Sequence, residues 1–423
     1  MNKIKKSLLT GIAGLVLVSL SGCGNPNTIT FWNPLTGDDG AYMDNMVEAY
    51  NETDPEFPVE SVISPDMYTK VYTVMNSGEG VPDLTLIHAD RVPGFVKLGM
   101  LESVESLMEN NPNLNVDNYL EQAWAPGTVD DTQYTIPLDI HGSAMYYNVD
   151  LLEKYGVSNF LDDDVVTFEE LLSLEGKLDE GQYAINNALI EWTTLANVVN
   201  LGGDIELDGK PTIDTPEMKE VVGQLHDLAD AGLITPNGED GYAIFQGGDV
   251  LFSTDGTWTS TAHDSIETLN WGVTNTYAFE PETFNNRSSA HLFSMLENEE
   301  RTDEKEQGIA DFLNYVRENS MEWAKAGQIV ASRDVFEDPE YEQYPQSFFT
   351  SSEEEQQSLH IFEYEHYGYV EQALATVLVD MIYGNIEIED GLVQAQRQVE
   401  DLVAQGGAGE VAAEEAEAEA EAE

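Results

Sequence analysis

The chain has 423 residues, with 80 Asp and Glu against 17 Lys and Arg and a formal net charge of −63. A surface this anionic repels nucleic acid and acidic lipid headgroups, which excludes functions that work through basic patches. A lone cysteine permits no intramolecular disulfide, so stability must come from core burial, and a chain of this length outgrows one core, so two lobes are expected.

The first element is a leader. Lys3, Lys5 and Lys6 precede an uncharged apolar run from Ser7 to about Leu20, the n-region and h-region of a secretory signal. Leu20-Ser21-Gly22-Cys23 then places the only cysteine directly after small residues. This stretch resembles the bacterial lipobox, which implies cleavage before Cys23 and a diacylglycerol on its sulfur. Without a twin-Arg pair, general secretion is expected. The expected segments are a signal peptide over 1–22 and a lipid-anchored linker over 23–27. The mature protein is expected outside the cytoplasmic membrane, tethered to its outer face.

"TITFW" then reads as a strand, and "AYMDNMVEAYNE" as a helix with Met43, Met46, Val47 and Tyr50 at helical spacing. "FPVESVIS" is the next strand, "DMYTKVYTVMNSG" a helix stopped by Gly78, "VPDLTLIHAD" a buried strand and "RVPGFVKLGML" a short helix. Strands alternating with helices predict a parallel α/β architecture with sites at the carboxyl ends of strands. "YTIPLDIHGSAMYYNVDLLEKYG" begins with a strand, followed by helices through "TFEELLSLEGKL", "WTTLANVVNLGG" and "TPEMKEVVGQLHDLADAGLI". "AIFQGGDVLFSTDGTW" gives a helix end, strand and turn. "NWGVTNTYAF" and "SSAHLFSML" are further strands. Ile309, Phe312, Leu313 and Val316 mark one face of a helix, and a helical region from Phe362 to about Ala404 closes the fold. The acidic tail, 405–423, is too polar and self-repelling to bury.

In this order, the segments resemble the extracellular solute-binding proteins of carbohydrate ABC importers, the maltose-binding-protein-like family. The resemblance runs from about Thr28 to Val403. It rests on "ITFWN", "GVPDLTLIHADRVPGFVKLGMLESV", "YTIPLDIHGSAMYYNVDLLEKYGV", "FQGGDVLFSTDGTW" and "EWAKAGQIVASRDVF". In the last, Val330-Ala331 stands where family members often carry a proline. The resemblance implies a two-lobed periplasmic-binding-protein-like α/β clam-shell (type II) with crossing-strand hinges. Lobe one would hold 28–138 and 272–330, lobe two 139–271 and 331–404. Ligand would bind between them and favour the closed state.

A sugar offers apolar C–H faces and a rim of hydroxyls, so its cleft needs flat aromatics beside planar polar groups. The resemblance marks Trp258 in "DGTWTS", Trp192 before Gly202-Gly203, and Trp32 at the end of the first strand as stacking candidates. Asp90 and Arg91, which follow "LTLIHA", match the family's ligand-binding Asp-Arg. His141 stands where the family often has a carboxylate, with Asp139 beside it. Asp255, His291, Arg333 and Tyr367 complete the candidate set, Tyr367 being chosen over Tyr364 and Tyr369; Trp271 and Trp323 are expected in the core.

The acids are spread along the whole chain, so they read as a solubility adaptation to salt more than as a site for a polyamine or other cation, which is the alternative ligand class. "SNFLDDDVV" lacks the spacing and glycine of a calcium loop and reads as a solvated turn. The chain has no Gly-x-Ser-x-Gly elbow, HExxH helix or P-loop, so neither an enzyme such as a secreted glycosidase nor a cofactor or metal is expected. The expected partners are a carbohydrate, an ABC permease and, through Cys23, the membrane; a monomer is expected.

Overall fold

The computed structural model describes residues 27–405 apart from 37, 65 and 299. The leader, Cys23 and the tail beyond 405 lie outside the described residues.

Strands Ile29–Asn33, Val59–Ile63 and Leu84–His88 run parallel, connected through helices Asp38–Asn51 and Met67–Ser77. The first helix buries Met43, Met46, Val47 and Tyr50, the stripe read from its spacing. The second ends at Gly78, whose φ of 69° lets its N–H reach the Val74 carbonyl, a left-handed stop that glycine adopts without strain. The first sheet has five strands, in the order Val59–Ile63, Ile29–Asn33, Leu84–His88, His291–Ser294, Thr135–Pro137.

The second sheet has seven strands around one long member, Asp139–Asn148. That strand pairs with Val250–Gly256, Trp271–Thr274, Asn286–Ser289 and Ile329–Val330, all antiparallel. Nearly all of it is buried, including Asp139, His141 and Ser143. A strand that carries charge into the interior needs partners for each polar group, and these partners build the site described below.

Two sequence expectations are revised. The single strand read in "SSAHLFSML" is two: Asn286–Ser289 belongs to the second sheet and His291–Ser294 to the first, divided at Ala290. Both halves are buried, so the apolar and small-polar run gives no sign of the change of sheet. The closing helical region is three helices, Tyr367–Ala375, Leu378–Ile382 and Ile388–Gln405, the last two separated around Gly384 at φ 70°.

Two apolar cores underlie the sheets. Phe31, Phe293 and Phe312 pack tilted or edge-on at centroid distances of 5.6, 6.1 and 6.2 Å in the first, with Ile309, Leu313 and Val316 from the helix Asp303–Glu318. The second gathers Leu225, Phe252, Val370 and Leu392. Each such side chain contributes about 1.5–3 kcal/mol on burial. Residues Val335, Phe336, Tyr341 and Phe349, grouped on sequence with lobe two, pack into the first core. Strands Trp271–Thr274 and Asn286–Ser289, grouped with lobe one except for Trp271, pair in the second sheet.

Candidate ligand-binding cleft

The chain passes between the sheets at two adjacent points. Thr135–Pro137 leads through Leu138 into Asp139–Asn148, and Asn286–Ser289 leads through Ala290 into His291–Ser294. The Leu138 N–H donates to the His291 carbonyl at 2.9 Å, which ties the crossings together. Register then does the rest: His291 stands opposite His88, and His141 opposite Ser289.

Three histidines therefore meet at the crossing. Ring centroids are 4.3 Å apart for His141 and His291, 4.9 Å for His88 and His291, and 5.5 Å for His88 and His141. Asp139 lies beneath them, fully buried, and accepts from His291 Nδ1 at 2.9 Å, the His291 N–H at 3.1 Å and Trp323 Nε1 at 2.7 Å. His141 Nδ1 stands 3.4 Å from the same carboxylate. Burial alone would raise the Asp139 pKa, but the His291 charge and the histidine hydrogen bonds outweigh it and hold the group well below the usual carboxylate range. For His291 burial lowers the pKa, and Asp139 more than offsets this, leaving it raised. Burial, followed by repulsion from His291, brings His141 down to about 4, and His88 is also lowered by burial and its histidine neighbours.

Beside the histidines is an aromatic corner. Trp192 and Trp258 meet edge to face at 5.8 Å, and Trp258 lies 5.9 Å from His141, also edge-on. Both indoles are partly exposed. Trp258 folds back over Gly256, where a Cβ would come within 2.2 Å of the indole, so only glycine admits this packing. Arg287 lies with Cζ 3.5 Å above the Trp192 ring and 4.8 Å from the Tyr367 ring. Its Nε donates to the Tyr367 hydroxyl at 2.7 Å and its Nη2 to Glu371 at 2.9 Å; Tyr367 also donates to Glu371. Burial would lower the Arg287 pKa, but Tyr367, Glu371 and Asp90 outweigh it and keep the group charged. Nη1 of Arg287 is buried without a hydrogen-bond partner among the described residues.

On the first-sheet side, Asp90 and Arg91 follow the strand Leu84–His88, form a 3.3 Å ion pair and are mostly buried. Arg91 also packs over Tyr68 at 4.8 Å. A crevice runs between Asp90, Arg91 and Phe95 on one wall and Glu365, His366 and Tyr369 on the other. Lys97 spans the same seam to Glu365 at 2.7 Å.

Of the residues selected from sequence, Asp139, His141, His291, Trp192, Trp258 and Tyr367 thus form one connected group, with Asp90 and Arg91 on its border. Tyr367 is buried and stacked on Phe362 at 5.2 Å, so it positions Arg287 and offers no open face. Trp32 is half-buried and packs against the first core. Asp255 is buried, accepts from the Gly256 N–H at 2.7 Å and faces Tyr242 and Tyr146. Arg333 sits at the surface, bonded to Glu337 and the Tyr119 carbonyl at 3.2 Å each. Arg287, His88, Glu371 and Trp323 were not selected; Trp323 is buried as expected but binds Asp139 through its N–H. His88 had a local signal, since it ends "LTLIH" two residues before Asp90.

The family model for bacterial extracellular solute-binding proteins matches residues 45–350. The chain belongs to that family. Members are receptors and not enzymes. The solute-binding protein is 25% identical over 224 residues to an arabinooligosaccharide-binding protein of Halalkalibacterium halodurans, a match covering 50% of this chain and 48% of that relative. It thus spans about half the length of the curated relatives it matches. Among solved structures, the sugar-binding protein MalE of Xanthomonas citri superposes with a TM-score of 0.76 at 15% identity, covering 89% of this chain and 98% of that one. The cyclic alpha-maltosyl-1,6-maltose binding protein of Arthrobacter globiformis gives 0.72 at 19% identity, over 90% and 99%. At these identities the likeness carries the fold, and it bears out the clam-shell expectation. Among the described residues no helix is long and apolar enough to cross a membrane.

Proposed function

We propose that this solute-binding protein captures a sugar or oligosaccharide in the cleft between its lobes and delivers it to the permease of an ABC importer, held at the outer face of the cytoplasmic membrane by a lipid on Cys23. The carrying observation is the partly exposed Trp192–Trp258 corner next to Arg287, whose Nη1 is a buried donor without an acceptor among the described residues. Indoles suit C–H faces, and a planar guanidinium suits a hydroxyl rim. The names of the relatives that bind arabino- and malto-oligosaccharides point the same way. Against a polyamine, the carboxylates of the site are already engaged, Asp90 with Arg91, Glu371 with Arg287 and Asp139 with His291.

The test is a thermal-shift and calorimetric screen of the purified protein with arabino- and malto-oligosaccharides, glycerophosphocholine and spermidine, at low and high salt. Ligand at 100 times its dissociation constant adds about 2.7 kcal/mol. A saccharide that raises the melting temperature of the native protein but not of Trp258→Ala supports the reading. Silence from every saccharide with the protein folded overturns the ligand class, and a spermidine response that fades with salt moves it to cations. The tether is checked separately: Cys23→Ala should release the protein into the medium.

A further inference from the structure

We propose that His88, His141 and His291 form a binding site for one divalent transition-metal ion, zinc by preference, at the point where the chain crosses between the lobes. The inference does not rest on the sugar reading, and its test contains no saccharide. It differs from the sequence expectation, which assigned no metal ligands.

The ligand nitrogens of the three residues all lie within 4.8 Å of one another. Tetrahedral zinc with Zn–N bonds of about 2.0–2.1 Å sets its ligands roughly 3.3 Å apart, so small side-chain adjustments close the set. Three imidazoles with one position left for water or a ligand oxygen is a donor set that zinc accepts readily.

The second observation is what holds the rings. A metal-bound histidine normally keeps its other nitrogen on a carboxylate, carbonyl or hydroxyl, which fixes ring orientation and tautomer. Here Nδ1 of His291 is bonded to Asp139, Nδ1 of His141 faces the same carboxylate, and Nδ1 of His88 lies 2.5 Å from the Tyr68 hydroxyl. With Nδ1 engaged in this way, Nε2 is the nitrogen each ring would turn toward a metal. Asp139 is in turn fixed by Trp323. All three rings thus meet a carboxylate or hydroxyl through Nδ1, the second contact that a metal-bound histidine normally keeps.

The charges nearby are balanced. Arg91 acts on His88 and Arg287 on His141, both against a cation; Asp139 and Asp39 act on His291 in its favour. A histidine binds a metal through an unprotonated nitrogen, so any proton on that nitrogen leaves to solvent when the ion arrives.

The experiment is zinc titration of the full chain after chelator dialysis, by calorimetry in high salt, so that the many surface carboxylates do not contribute. One equivalent is expected, with no comparable response to magnesium or calcium. His141→Gln and His88→Gln should each weaken binding at least 100-fold, and Asp139→Asn by 10–100-fold. Circular dichroism of each variant without metal reports its fold. Should a variant fail to fold, the cobalt(II) spectrum of the native protein decides: intense bands of a four- or five-coordinate, nitrogen-bound ion support the site, and the weak bands of an octahedral oxygen-bound ion overturn it. Absence of the single equivalent, or its survival in folded His→Gln variants, overturns it as well.

Discussion

Trp323 donates from Nε1 to Asp139 at 2.7 Å across 184 residues of sequence, and both side chains are fully buried. The bond joins the helix Met321–Ala324 to the first residue of the long strand, so it fixes the crossing from behind. Trp323→Phe keeps most of the apolar volume but removes the donor. A hydrogen bond to a charged group contributes about 1.5–3 kcal/mol, so urea denaturation should show a loss of that size with an unchanged m-value. The sign with pH also follows. Asp139 has a depressed folded pKa, so its stabilisation is present above the unfolded carboxylate value and is lost as pH falls through the folded one. Losing a donor raises the folded value, and acid unfolding of the variant should begin at higher pH.

Arg287 works as a plane as much as a charge, lying over Trp192 while two of its nitrogens are engaged by Tyr367 and Glu371. Lysine cannot reproduce that geometry. Arg287→Lys should weaken ligand binding at least 10-fold in calorimetry, close to the effect of Trp258→Ala. Arg333→Lys, at a surface ion pair, should leave affinity unchanged.

Asp255 carries a cost in its ionised form. Burial lifts its pKa to about 7 despite the Gly256 N–H. Its folded pKa exceeds the unfolded value near 3.9, so the folded state binds more protons between the two, and stability falls as pH rises from about 4 to about 7. Asp255→Asn removes that term and keeps the acceptor for Gly256. It should be more stable than the native protein by roughly 1–3 kcal/mol at pH 8, with the difference shrinking as pH falls and vanishing only below about pH 4 in thermal melts.

Lys97 and Glu365 form an exposed pair, and such pairs add about 0–1 kcal/mol. Their position matters more than their strength, because they span the seam. Lys97→Glu should leave the melting temperature nearly unchanged, shift small-angle scattering toward a more open particle, and lower ligand affinity by up to about 5-fold. An unchanged scattering profile with unchanged affinity would show that the pair has no part in closure.

Local patterning carried much of the fold. The stripe at Met43, Met46, Val47 and Tyr50, the stop at Gly78 and the Thr167–Glu170 capping box in "TFEE" are all short-range, and a helix stands at each. What the residues alone did not carry is register. Nothing near Ala290 announces that the chain changes sheets there, and nothing in "FNNRSS" distinguishes Arg287 from a turn arginine. Its role depends on Trp192 and Tyr367, which arrive from elements about 95 residues before and 80 after it. For the same reason His141 and His291 were each selected singly, while their meeting with His88 is a product of pairing between distant strands.

The strand His291–Ser294 lies between Leu84–His88 and Thr135–Pro137, and Thr85 and Ser294 share a hydrogen bond across 209 residues. The first sheet is therefore missing an inner member until about seven-tenths of the chain has been made. Until then, the N-terminal strands have an open edge and no way to finish their core. Closing the first sheet is therefore a long-range event, in which contacts 209 residues apart must form before the inner strand is seated.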